Sequence, residues 1–366
     1  MKICLASYDI GPHLNLGLIA KRAFDLGHEA VVLPAEKDLT DNWKVAKEIQ
    51  GSDILVTGLA SFETEADLTV ASCALANNVP WVVLEDVPEA CLRPKARILA
   101  DKASAVILAH PAEQFRQHAV EFGYRPEILT YLGPPPQWRA DYETTKAAMD
   151  ANLRGSLQMI RQSYSFQPVT LPQSMTVLGY IGVKDPITNN NILKMLGAVL
   201  GNKFAIAFGK HPRERTERPE DEQRFAELFA ERDEIVRDTY CVITDGLNGA
   251  KVVAISDIML YSGSSTNGIS GAMLGRRQIY YEDEAVKARI RKQTGQDHWF
   301  VAELGGAVKV SSILELADAI KYLSVSGELS ALLNRNQQQN FPAPQDWDTE
   351  TKIVRFLENL VQQFRI

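Results

Sequence analysis

Residues Tyr261 to Gly275, YSGSSTNGISGAMLG, leave the apolar run Ile258-Met259-Leu260 through a run rich in small and hydroxyl side chains that leads into a short helical pattern. Ser262, Gly263, Ser264, Ser265 and Thr266 offer hydroxyls and backbone N–H groups without steric cover, ahead of a helix expected to begin near Asn267 or Gly268. Uncovered N–H groups at the positive end of a helix dipole are what a phosphate requires. A turn that merely needs glycine would look the same, so neighbouring loops must decide. One of them, Gly209-Lys210-His211-Pro212-Arg213-Glu214-Arg215, follows the apolar run Phe204 to Phe208. It gathers four potential cations within six residues of a chain whose net charge is −7. Such a cluster suits an anionic ligand, although it could equally balance the acidic run from Glu217 to Glu222.

Two further loops carry groups able to move a proton. Glu85 and Asp86 end the run Trp81-Val82-Val83-Leu84, and adjacent carboxylates can repel one another until one pKa approaches neutrality. His13 lies in YDIGPHLNLG, at or just before the first turn of a helix, where the dipole disfavours the charged imidazole and suits a neutral base. Surface turns rich in Asp and Glu, and helix-capping histidines, are the ordinary alternatives at these two places.

These loops need a framework that brings them together, and the alternation of apolar runs with helical stretches supplies it. Strands are expected at Ile3–Ala6, Ala30–Leu33, Ile54–Thr57, Trp81–Leu84, Ala105–Ala109 and Ile128–Leu132. A helix between the first two should place Leu14, Leu18, Ala23 and Leu26 on one face and end at Gly27. A Pro-rich turn, Gly133 to Pro136, and a helical segment from Asp141 to Gln162 precede a second series. Its strands are Thr176–Ile181, Phe204–Phe208, Ile258–Tyr261, Gln278–Tyr281 and Ala307–Val310, with helices at Asn191–Leu200, Glu222–Phe229, Ser311–Tyr322 and Thr351–Phe364. Around eleven strands are many for one open sheet, so the α/β pattern is read as two Rossmann-like, doubly wound parallel-sheet domains. The N-terminal domain spans residues 1–165 and the C-terminal one 166–348, while residues 349–366 form a last helix that can cross back to the first domain.

Composition narrows the function. With 366 residues, 45% of them hydrophobic and 23% charged, the chain can fill two cores, and its acidic balance argues against a nucleic acid polymer as partner. Cys4, Cys73, Cys91 and Cys241 have no C-x-x-C or metal-ligand spacing and read as reduced thiols. No apolar stretch reaches membrane-spanning length and no signal-peptide core opens the chain, so a cytoplasmic protein is expected. Neither G-x-G-x-x-G nor G-x-x-x-x-G-K-[ST] is present, which speaks against nicotinamide dehydrogenases and P-loop triphosphatases.

In chain order these pieces resemble the GT-B glycosyltransferase superfamily. GPHLNLGLIAKRAFDLGHEAVVL is similar to the opening of glucuronosyltransferase-like and muramyl-lipid glycosyltransferases, LTYLGPPP to the end of their N-terminal domain, and SDIMLYSGSSTNGISGAMLGRRQIYY to their donor signature. His211-Pro212 and Ser264-Ser265-Thr266 resemble the phosphate-holding motifs of bacterial sialyl- and polysialyltransferases. Glu85-Asp86 resembles the acidic pair that supplies the base there, with Val87 in place of that motif's glycine. Gly271-Ala272 stand where many UDP-sugar enzymes place Glu-Ala.

The resemblance implies two domains facing a cleft and a metal-independent transfer of sugar from a nucleotide-sugar donor to a hydroxyl acceptor, without a cofactor. Lys210, His211, Arg213, Gly263, Ser264, Ser265 and Thr266 would hold the donor phosphate, and His13 or Asp86, with Glu85, would supply the base. His13 is the first choice, because its loop matches more of its family's residues. A non-hydrolysing sugar-nucleotide 2-epimerase and a non-catalytic nucleotide- or glycan-binding relative share the same fold and are the alternatives.

Overall fold

The computed structural model describes residues 1–33, 42–59, 66–151, 159–160, 168–169, 175–200, 204–211, 227–228, 230–231, 234–235, 241–243, 249–263, 265–294, 298–325, 327–345 and 347–365. The chain divides into two compact units, one of Met1–Ala140, Arg291–Gln296 and Pro344–Ile366, the other of Asp141–Ile290 and Asp297–Ala343.

The first unit is built on strands β1 (Lys2–Ala6), β2 (Glu29–Val32), β3 (Ile54–Thr57), β4 (Trp81–Leu84), β5 (Ala105–Ile107) and β6 (Leu129–Thr130). They form one sheet in the order β2-β1-β3-β4-β5-β6, parallel at every pair. Apolar runs without polar alternation are what a sheet covered on both faces demands, and the two faces divide them by parity. Ile3, Leu5, Ile54, Val56, Val82 and Leu84 pack with Leu16, Ile19 and Ala23 of the helix Ile10–Asp25 and with Ile353, Val354, Leu357 and Val361 of the C-terminal helix Thr349–Phe364. Cys4, Ala6, Leu55, Trp81, Val83 and Val106 face the opposite way, onto a core closed by Val70, Ala71 and Ala74 of the helix Ala66–Ala76. The Trp81 indole N–H, buried there, donates to Thr57 Oγ1 at 2.8 Å.

Several expected boundaries shift for local reasons. Of the expected face of the first helix, Ala23 is buried, Leu18 and Leu26 are half-buried and Leu14 is exposed; Pro12, Asn15, Leu16 and Ile19 are buried beside Ala23. The fifth strand stops at Ile107 because the Ala109 N–H leaves the ladder to reach Glu85 Oε2. Pro126–Ile128 is a tight turn, which shortens the sixth. Helix is also not continuous from Asp141 to Gln162: it runs over Pro136–Asp150, and Met159–Ile160 (β7) pairs antiparallel with Pro168–Val169 (β8).

The second unit holds β9 (Thr176–Ile181), β10 (Phe204–Gly209), β11 (Cys241–Ile243), β12 (Ile258–Tyr261), β13 (Arg277–Tyr281) and β14 (Val308–Val310), in the order β11-β10-β9-β12-β13-β14 and again all parallel. The three-residue β11 is too short to show in the sequence pattern. The helix after β9 begins at Pro186, ahead of the expected Asn191, because Asp185 caps it by accepting from the N–H groups of Ile187 and Thr188. Ser312 does the same for Ile313–Ser324. The expected helix Glu222–Phe229 falls largely outside the described residues. Among the described residues no helix is long and apolar enough to cross a membrane.

Candidate functional site

In open parallel sheets a ligand sits outside the carboxyl ends of the strands, where the connections reverse direction. The first sheet reverses between β1 and β3, the second between β9 and β12.

At the first edge, Glu85 and Asp86 follow β4 and take opposite roles. Glu85 is buried, and its two carboxylate oxygens accept from the N–H groups of Cys91 (3.1 Å) and Ala109 (3.0 Å). Burial pushes its pKa up to about 7 against the pull of those two hydrogen bonds. Asp86 points elsewhere and keeps partial access to solvent, although protein surrounds its carboxyl group. Burial raises it to about 6, opposed by the positive charge of Arg93 and aided by the negative charge of Asp9. The carboxylate lies against the first turn of the helix Ile10–Asp25, so close that a Cβ on Gly11 would stand 2.8 Å from Asp86 Oδ2. Arg93 is itself largely buried, and desolvation lowers its pKa against the fields of Asp86, Asp9 and Glu85. The Trp138 indole N–H donates to the Asp86 carbonyl at 2.9 Å and the Gln137 N–H to Asn15 Oδ1 at 2.9 Å, tying this loop and the first helix to the helix Pro136–Asp150.

The intervening loop is strained. Glu89 is a non-glycine residue at φ +67°, and its carboxylate is held by His118 Nδ1. His13 is the fourth residue of the first helix, its N–H bonded to the Asp9 carbonyl at 3.0 Å. The ring is half-buried, and its Nδ1, sealed from solvent, has no hydrogen-bond partner among the described residues.

At the second edge the exits of adjacent strands come level, with Ile181, Tyr261 and Tyr280 paired across β9, β12 and β13. Gly263 is buried at φ +112°, a conformation that favours glycine, and a Cβ there would meet Val183 Cγ1 at 3.3 Å. The loop after β12 is thereby packed against the loop after β9. Ser265 occupies the N-cap position of the helix Thr266–Met273 in an extended conformation, and its side chain makes no capping bond. The Gly268 N–H bonds the Ser265 carbonyl at 3.0 Å, which leaves the N–H groups ahead of it for another acceptor. Lys210 and His211 leave β10, which β9 separates from β12, so they stand about 10 Å from the Ser265 loop at ordinary strand spacing. Ser264 and Arg213 lie outside the described residues. Among the described residues no three His, Cys, Asp or Glu side chains gather as a metal-ligand set.

Beside Ser262 of the small-residue loop, the edge holds Tyr280, Glu282 and Arg289, which the sequence pattern does not single out. Ser262 Oγ, Tyr280 Oη and Glu282 Oε2 are buried without a hydrogen-bond partner among the described residues, as is Nη1 of Arg289. The other Glu282 oxygen meets His298 Nδ1 at 2.8 Å, and Arg289 Nη2 donates to Thr188 Oγ1 at 3.3 Å. Buried polar atoms are rarely left unpaired in a protein interior, so four at one sheet edge call for an occupant.

No family model matches the chain, and no curated protein sequence does. Solved structures do, over its whole length. HepE of Anabaena, in complex with UDP-glucose, superposes with a TM-score of 0.59 at 14% identity, covering 99% of this chain and 100% of its own. A UDP-GlcNAc 2-epimerase from Neisseria meningitidis, bound to UDP-GlcNAc, gives 0.60 at 9% identity with 99% and 100% covered. MurG of Acinetobacter baumannii gives 0.57 at 12% identity with 98% and 99% covered. The chain therefore has the GT-B fold.

Proposed function

We propose that the protein is a glycosyltransferase that moves a sugar from a nucleotide-sugar donor to a hydroxyl acceptor without a metal ion. The observation that carries this reading is the carboxyl edge of β9, β12 and β13. A glycine-led loop there leads into a helix N-terminus without a side-chain cap, beside four buried polar atoms that have no hydrogen-bond partner among the described residues. A nucleotide phosphate fits those N–H groups, and the fold is shared with proteins whose structures hold UDP, UDP-glucose and UDP-GlcNAc. In the proposed reaction the acceptor oxygen attacks the anomeric carbon, the nucleoside phosphate departs with the bonding electrons, and a base removes the acceptor proton. Gly263, Ser265 and Thr266, with His211, would meet the charge that develops on the leaving phosphate.

For the base we assign Asp86. A carboxylate raised to about 6 at a strand exit, with partial solvent access, can be ionised at neutral pH and still accept a proton. Glu85, with both oxygens taken by backbone N–H groups, would hold the loop, and Arg93 would keep Asp86 charged. His13 is the competing base, and single variants separate the two. The true base should lose about a hundredfold or more in turnover on removal of its proton-accepting group while donor affinity is kept.

Mass spectrometry of reactions containing UDP-, CDP-, CMP-, GDP- and TDP-sugars with a mixed panel of hydroxyl acceptors, with and without chelator, tests the whole reading. Transfer that survives chelation supports it. Strict metal dependence removes the metal-free step, and donor isomerisation without acceptor would instead establish the epimerase reaction. Tight nucleotide binding with neither chemistry would point to a binding protein.

A further inference from the structure

We infer that Arg289 is the cation of the C-terminal unit's phosphate site, holding a phosphate oxygen of the bound nucleotide over the loop Ser262–Thr266; this rests on the nucleotide-sugar reading and adds to it the residue that supplies the charge. The sequence directs attention to Lys210, His211 and Arg213, but β10 is two strands from β12. Arg289 comes from another direction, on the helix Glu284–Thr294 that follows β13.

Its position follows from what it touches. Nη2 donates to Thr188 Oγ1 at 3.3 Å, at the start of the helix that leaves β9. The same positive charge acts on the Tyr280 hydroxyl at the end of β13, easing the rise in its pKa that burial and Glu282 impose. In the sheet β12 lies between β9 and β13, so a guanidinium engaged with both flanking exits spans the exit of β12. That exit is the loop from Ser262 to Thr266. The Tyr280 hydroxyl also lies against the Gly263 N–H without completing a hydrogen bond, which ties the tyrosine to the same loop.

The second observation is what these groups lack. Tyr280 is 0% exposed, Ser262 and Glu282 are each 1% exposed, and each has a polar atom without a partner among the described residues. Arg289 Nη1, likewise sealed from solvent, has none either. A guanidinium N–H and a carboxylate oxygen buried at one edge would ordinarily find each other, because leaving either unpaired costs more than a neutral hydrogen bond returns. Here they do not. A group that accepts from Arg289, Ser262 and the Gly263 N–H while donating to Glu282 would satisfy all of them, and a phosphate carrying a hydroxylated sugar has both capacities. The planar guanidinium can also bind two phosphate oxygens at once, which a lysine cannot.

The test is calorimetric titration of the full chain with UDP, CMP, CDP, GDP and TDP, and with the nucleoside of whichever binds, for wild type, R289Q, R289K and S265A. We expect R289Q to weaken the phosphorylated ligand at least tenfold and to leave the nucleoside within twofold of wild type, with R289K intermediate. Nucleotide affinity in R289Q within twofold of wild type, while S265A weakens it, would overturn the role of Arg289 and leave the nucleotide reading standing. Equal loss of nucleoside and nucleotide in R289Q would also overturn it, since the residue would then act through the fold. Failure of wild type to bind any of the five would overturn both.

Discussion

Replacing Asp86 with Asn should change how the stability of the protein depends on pH. In the folded chain burial raises this carboxyl group from an ordinary 3.8 to about 6. That difference corresponds to about 3 kcal/mol at 25 °C, and partial solvent access reduces the working figure to about 1–2 kcal/mol. The sign follows from proton counting. Between about pH 4 and pH 6 the folded state holds the Asp86 proton more tightly than the unfolded state, so folding is favoured at the acid end and stability falls as pH rises through that window. Above about pH 6.5 both states are ionised and the effect is complete. The D86N variant has no such proton, whereas Glu85 and the other acids titrate in both proteins and cancel in the difference. Loss of the charge facing Arg93 shifts the Asn variant by a constant and leaves the slope alone. Urea unfolding of both proteins at about pH 4.5, 5.5, 6.5 and 7.5 measures it. Wild type should lose about 1–2 kcal/mol relative to D86N across the range. A flat difference, or wild type gaining stability with pH, would refute the burial argument.

Two substitutions probe how the sites are held. Gly11→Ala puts a methyl carbon 2.8 Å from Asp86 Oδ2, too close for contact, and should displace the carboxylate. Turnover should fall while nucleotide affinity stays, and the double variant with D86N should lose no more than D86N alone, which steady-state kinetics will show. Asp185→Ala removes the side chain that accepts from Ile187 and Thr188 and should cost about 1–2 kcal/mol of stability, read as a lower denaturant midpoint at unchanged slope.

The strands were legible because each is a short apolar run that must bury both faces. Ile54–Thr57, Trp81–Leu84, Thr176–Ile181 and Ile258–Tyr261 fall where that logic puts them. Helix faces were less so: Leu14 satisfies the period of an apolar stripe but is exposed, since Leu16, Ile19 and Ala23 already cover the sheet. Exit loops could be found from strand ends alone, including the run from Gly263 to Thr266. What each side chain does there could not. Glu85 and Asp86 are adjacent letters, yet one accepts from backbone N–H groups of Cys91 and Ala109 and the other lies on Gly11, because neighbours at a strand end face opposite ways. Arg289 is one of four cations between Lys287 and Lys292 in the sequence. Only the order β9-β12-β13 distinguishes it, and strand order is a tertiary property.

The decisive measurement is a crystal structure of the protein with its tightest-binding nucleotide. Its phosphate oxygens should lie within about 3 Å of the backbone N–H groups of Gly263 to Thr266 and of the Arg289 guanidinium. A nucleotide bound elsewhere, with its phosphates beyond hydrogen-bonding reach of the Ser262–Thr266 loop, would contradict the proposed donor site.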